Sequence, residues 1–187
     1  MSQRPECHVP VWQEIIDRYY PAGTRLRDIL LSHSRSVAEL ALEIATRHNL
    51  PIEPSVIESA AMLHDIGIFL TYAPSIECHG TEPYIRHGIL GAALLRSIGA
   101  DERYARVAER HTGSGLTADE IKLQHLPLPE RDYLPETLLE KLICYADKFY
   151  SKSGSMNRKH PAQVRAALAK MSPAAASRFD ALADIFS

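Results

Sequence analysis

Apolar residues return at intervals of three and four along nearly the whole chain, and almost nowhere do they alternate strictly with polar ones. That period restricts the fold to packed amphipathic helices, an all-α domain. The first helix is expected from about Val11 to Tyr20, stopped by Pro21 and Gly23. A second carries the stripe Val37, Leu40, Ala41, Ile44 and Ala45 up to Asn49 and Pro51. Pro54 opens a third, with Ile57, Ala60, Ala61 and Leu63 facing inward, His64 and Asp65 in its last turn and Gly67 as its stop. Residues 69–86, holding Pro74, Gly80 and Pro83, show no helical period and read as the longest irregular piece, of a length that often carries function. Helices resume over Ile89 to Ile98, then from a cap at Asp101 toward His111, then behind a Thr117–Glu120 capping box. Leu138 to Asp147 forms another, and after the polar break SKSGSMNRK two short helices are expected around Val164 to Met171 and Pro173 to Ile185.

At 187 residues the chain suits one domain spanning 1–187, with a core at about 24–151 on which the N-terminal helix and the C-terminal helices pack. Its 21 Lys+Arg against 23 Asp+Glu, with no dense basic run, remove the support for binding a long nucleic acid through bulk charge. No apolar run approaches the roughly 18 to 20 residues of a membrane span, and the first residues lack a basic-then-apolar leader. Cys7, Cys78 and Cys144 are scattered, which suits neither a disulfide framework nor a zinc ribbon. A cytoplasmic protein is expected.

Nine histidines give the chain its chemistry. His33, the adjacent His64 and Asp65, His87, His111 and Asp147 lie near the ends of different expected helices, and a bundle can bring such residues to one interior point. Four imidazoles and two carboxylates suffice for two cations if one carboxylate bridges them, and Asp65, beside His64, is the best bridge. His8, His48, His125 and His160 read as caps or solvated residues, and His79 beside Cys78 as a surface or lid residue. Arg35, Arg86, Arg110 and Lys148 each stand within two positions of a candidate ligand. Lys148 and Arg86 are the foremost phosphate donors and, with Asp65, the catalytic candidates. The loop bearing Tyr72, His79 and Tyr84 is placed to close over a substrate.

In order and spacing, His33, His64–Asp65 and Asp147 resemble the H…HD…D signature of the HD-domain superfamily of metal-dependent phosphohydrolases. His64-Asp65-Ile66-Gly67 is similar to its HDIG variant, and His87 with His111 completes the six-ligand pattern of its dinuclear branch. The resemblance runs from about His33 to Lys148 and implies a helical bundle. It also implies one metal on His33, His64, Asp65 and Asp147 and a second on Asp65, His87 and His111. The implied cofactors are two divalent transition-metal ions (Fe, Mn, Co, Ni or Zn), because an imidazole-rich site suits these better than Mg. The implied reaction is hydrolysis of a small phosphate ester, a nucleotide foremost, by a hydroxide bridging the metals, with no membrane partner and a homodimer compatible with the sequence. Two other readings are a mixed-valent di-iron oxygenase of the same fold and a nucleotide-binding module without turnover. Where several phosphodiesterase branches carry a lysine soon after the HD pair, this chain has Ile68 and Phe69, and Phe69 is expected to form an apolar wall beside the metals.

Overall fold

In the computed structural model, residues 11–153 and 157–187 are described, and their architecture is helical throughout its core. Helices α1 (Trp12–Tyr19), α2 (Arg25–Arg47) and α3 (Pro54–Leu63) are followed by α4 (His87–Ser97), α5 (Glu102–Arg110), α6 (Ala118–Leu123), α7 (Leu138–Asp147), α8 (Pro161–Met171) and α9 (Pro173–Phe186). The expected Cys7 and His8 lie outside the described residues. No helix among the described residues is long and apolar enough to cross a membrane.

Local chemistry accounts for where the helices begin. Thr24, Asp101, Thr117 and Thr137 each accept a backbone N–H at the start of α2, α5, α6 and α7, and a cap of this kind is worth about 1 kcal/mol. Thr117 and Glu120 form the expected reciprocal box, and His160 caps α8, in keeping with its reading as a capping residue. Along α2 the buried face runs Leu30, His33, Val37, Leu40, Ala41 and Ile44, so His33 sits on the core stripe and not on the solvent side.

Two apolar clusters divide the interior. One joins α2, α3 and α7 to α8 and α9, with Phe149, Phe179 and Phe186 packed around Tyr145. Because Val164, Leu168, Phe179 and Leu182 are buried in the same cluster as Ile143, the two C-terminal helices share the core of the bundle. The other cluster joins α1 to α4 and α5 through Ile15, Ile16, Tyr20, Leu30, Leu63 and Leu95.

Two expectations are corrected. Residues 69–86 are not simply irregular: β1 (Thr71–Ala73), β2 (Cys78–His79) and β3 (Glu82–Pro83) form a small sheet in the order β2-β1-β3, β1 antiparallel to β2 and parallel to β3. Strands of two or three residues are too short to show alternation in a sequence. The third helix ends at Leu63, so His64 is its C-terminal cap and Asp65 lies in the turn beyond it.

Gly67 is not a left-handed helix stop, since its φ is −86°. A Cβ there would lie 2.3 Å from the His87 carbonyl oxygen and 2.4 Å from the Gly91 nitrogen. Only glycine lets the Asp65 turn press directly on the backbone of α4. Gly88 does the same between α4 and α5, where a Cβ would come within 2.6 Å of the Ala108 carbonyl oxygen. These two contacts bring His87 and His111 close to Asp65.

Candidate metal centre

His33 comes from α2, His64 and Asp65 from the turn after α3, His87 from the first position of α4, His111 from the end of α5 and Asp147 from the last position of α7. All six are buried. They form two groups whose ligand atoms lie within 4.8 Å of one another: His33, His64, Asp65 and Asp147 in one, and Asp65, His87 and His111 in the other. The two carboxylate oxygens of Asp65 face different groups. Oδ2 is 3.3 Å from His33 Nε2 and 3.0 Å from His64 Nε2, whereas Oδ1 is 3.5 Å from His87 Nε2 and 3.4 Å from His111 Nε2. Asp147 Oδ1 closes the first group at 2.9 Å from His33 Nε2.

Backbone carbonyls set the tautomers. Nδ1 of His64, His87 and His111 lies 2.6, 2.7 and 2.8 Å from the carbonyl oxygens of Ala61, Tyr84 and Ala108. Each N–H is donated to the residue three positions earlier, which aims Nε2 inward, its lone pair free whenever the ring is neutral. The result is a convergence of acceptors: the Nε2 atoms of His33 and His64 are 3.2 Å apart, and those of His87 and His111 3.0 Å apart. Neither oxygen of Asp65 has a well-directed hydrogen bond. Oδ2 has the Lys152 ammonium beside it, whereas Oδ1 faces the Nε2 atoms of His87 and His111, so this donor set fits cations that would accept its lone pairs.

The two groups differ electrostatically. Burial opposes a proton on His64, but the Asp65 and Asp147 carboxylates outweigh it and hold its pKa up at about 9. Burial, reinforced by the neighbouring His111, pushes His87 down to about 3, and His111 is also lowered, chiefly by burial. Burial works against charge on Asp65 and Asp147 too, yet His64 and Lys152 at Asp65, and Lys148 and His33 at Asp147, hold both well below the usual carboxylate range.

The basic residues separate sharply. Lys148 Nζ is 2.6 Å from Asp147 Oδ2 and 3.0 Å from the His111 carbonyl oxygen, tying the two groups together. Arg86 is directed to Glu82 and is absent from the lining of the adjoining cavity, a correction that follows from its place on the turn just before α4. Arg110 binds the Leu134 carbonyl oxygen and Glu136, and Arg35 is exposed. Phe69 is likewise redirected: its ring packs on Tyr19 and Tyr20 at 5.8 and 5.3 Å, and Tyr20 Oη donates to the Ile66 carbonyl oxygen at 2.8 Å. Helix α1 thus buttresses the HD turn, and Phe69 packs on α1 and forms no wall at the candidate ligands. Of the expected lid residues, Tyr84 stacks on His87 at 4.7 Å, whereas Tyr72 and His79 are exposed.

One residue at the site escaped the sequence reading. Lys152 Nζ is 2.7 Å from Asp65 Oδ2, and Asp65, acting against burial, raises the pKa of the lysine. The only signal was its position five residues after Asp147, inside a stretch that reads as a polar break.

The chain matches the family model of the HD domain over residues 30–151. It belongs to the HD-domain family. Among curated relatives, an uncharacterised protein of Methanocaldococcus jannaschii is 38% identical over 63% of this HD-domain chain and 64% of its own length. The tRNA (cytidine(56)-2'-O)-methyltransferases of Picrophilus torridus and Thermoplasma volcanium are 35% and 34% identical over 71% and 76% of this chain. This chain spans only 34% and 37% of those two proteins, so their named activity belongs to polypeptides of which it matches about a third. The HD domain of the L. monocytogenes phosphodiesterase PgpH shares the fold, with a TM-score of 0.53 at 14% identity over 91% of this chain and 94% of its own. A second structure of that domain, in complex with cyclic-di-AMP, gives 0.52 at 16% identity, covering 91% and 92%.

Proposed function

We propose that the chain is a metal-dependent phosphohydrolase that cleaves a small phosphate ester, a nucleotide foremost. The supporting observation is the division of Asp65, one oxygen toward His33 and His64 and the other toward His87 and His111. His33, His64, Asp65 and Asp147 would hold one cation and Asp65, His87 and His111 another; such a pair supplies Lewis acidity and a water acidified toward neutral pH. Imidazole donors favour Fe, Mn, Co, Ni or Zn.

The remaining work falls to the chain's own groups. The three Nδ1–H bonds to carbonyls fix the imidazoles of His64, His87 and His111 with Nε2 already turned to the site. Lys148 holds Asp147 in place through a contact that also reaches the backbone of His111, so its role is to position a ligand. Lys152, with a side chain only 14% exposed and beside the carboxylate that both groups share, is the cation placed to meet a phosphate oxygen. The HD domain of PgpH, which shares the fold, is that of a phosphodiesterase and has been crystallised in complex with cyclic-di-AMP, a phosphate ester of the proposed kind.

The test is metal analysis of the purified protein combined with phosphate release from nucleotides and sugar phosphates, with and without Mn²⁺, in air and under strict anaerobiosis. Metal-stimulated phosphate release that persists without oxygen is the expected result. Oxygen consumption with no phosphate released from any of them contradicts the proposal.

A further inference from the structure

The family match ends at residue 151, but the cavity beside the metal ligands does not. A space of about 720 Å³ opens from Asp147 toward α8, within the roughly 300–1,000 Å³ of pockets that enclose whole small molecules and far larger than a phosphate group. Its lining changes character along its length. Near the ligands stand Lys148 and Lys152, with Lys159 also on the wall, and among the described residues Asp147 is the only acidic one that lines it. The opposite wall is apolar, formed by Val164, Ala167, Leu168 and Met171 of α8. Tyr84 and Tyr150 contribute aromatic surface between the two.

We propose that α8 and the turn at 150–153 recognise the organic part of the substrate, and that this part is a ring-bearing, largely apolar body joined to the phosphate. The inference rests on the hydrolase reading and extends it to a specificity surface that begins at the end of the HD match and lies mostly beyond it, on α8. The charge gradient sets the orientation: the anionic group meets the lysines beside Asp65 and Asp147, and the body lies along α8. Leu168 and Val164 are anchored in the bundle core, so the wall is fixed, whereas Ala167 is exposed to the cavity without contributing to that core. Enlarging the side chain at 167 therefore shortens the pocket without removing a core contact.

The test uses two phosphonates that cannot be hydrolysed, methylphosphonate and 1-naphthylmethylphosphonate, titrated calorimetrically into the Mn²⁺-loaded protein. The native chain is expected to bind the naphthyl compound at least about tenfold more tightly, a difference of the size that one buried apolar group supplies. Ala167→Trp is expected to abolish that preference while leaving methylphosphonate binding, metal content and circular dichroism unchanged. Lys152→Met is expected to weaken both phosphonates by the same factor. Equal binding of the two by the native chain, binding of neither, or an equal loss of both in Ala167→Trp would overturn the proposal. Because these titrations involve no turnover, absence of phosphate release with the preference intact counts against the hydrolase reading, and release without the preference counts against the α8 wall.

Discussion

The two halves of the candidate metal centre are built from the same residue types, yet His64 in one and His87 in the other are shifted in opposite directions. Around His33 and His64 two carboxylates converge, Asp65 and Asp147, and their charge keeps a proton on His64 despite complete burial. Around His87 and His111 the close carboxylate oxygen among the described residues is Asp65 Oδ1; burial lowers both imidazoles, and His111 lowers His87 further. Burial alone cannot account for the contrast, because it acts in the same direction on both halves. What separates His64 from His87 is the charge beside each: Asp65 and Asp147 raise the first, and His111 lowers the second. His64 must release a proton to take a cation, and His87 has none to release.

The largest expected effect comes from removing what the halves share. Asp65→Ala should lose turnover altogether and most of the bound metal, read by elemental analysis and phosphate release, because it takes a donor from both groups. Full activity in that variant would remove the basis for treating the halves as one centre.

Single-sided variants sharpen the comparison. His87→Ala should keep one ion per chain, held by His33, His64, Asp65 and Asp147, with activity down by about 100-fold. His33→Ala should lose the ion from the opposite half, and metal stoichiometry of the two variants distinguishes them. Identical loss of all metal from both would mean that the halves do not fill independently.

The smallest effect is a matter of protons. His64 is raised to about 9 from the ordinary value near 6.5, so its proton stabilises the metal-free chain fully below pH about 6.5, and that contribution fades as the pH rises through 9. Over the same window His87, lowered to about 3, carries no proton to lose. Metal affinity of the His33–His64 half should therefore climb by up to about tenfold per pH unit between these values, while the His87–His111 half stays nearly flat. Calorimetric titration of Zn²⁺ at pH 7.5 in buffers of different ionisation enthalpy checks this. About one proton should be released on filling the half that survives in His87→Ala, and fewer on filling the half that survives in His33→Ala.

How much of this was legible in the sequence follows from range. The helices and their caps were readable because they depend on neighbours a few positions away, as at Thr117 and Glu120. The six candidate ligands were readable as a set because their order and the adjacency of His64 and Asp65 survive in one dimension, and the structure brings all six together. Lys152 was not readable, since its reach to Asp65 depends on how the chain turns after α7. Arg86 and Phe69 misled for the same reason: proximity in sequence did not fix direction, and their side chains turn to Glu82 and to α1. Gly67 was singled out correctly but for the wrong cause, since its importance lies in the approach of α4, a tertiary contact.

The central claim is that Asp65 joins two metal positions through its two oxygens. A crystal structure of the Mn²⁺-loaded protein, with anomalous data collected at the metal edge, tests it most directly. Two anomalous peaks on the order of 4 Å apart, with Asp65 Oδ2 on the one beside His33 and Oδ1 on the one beside His87, are predicted. A single peak, or two with Asp65 bound to only one of them, would contradict it.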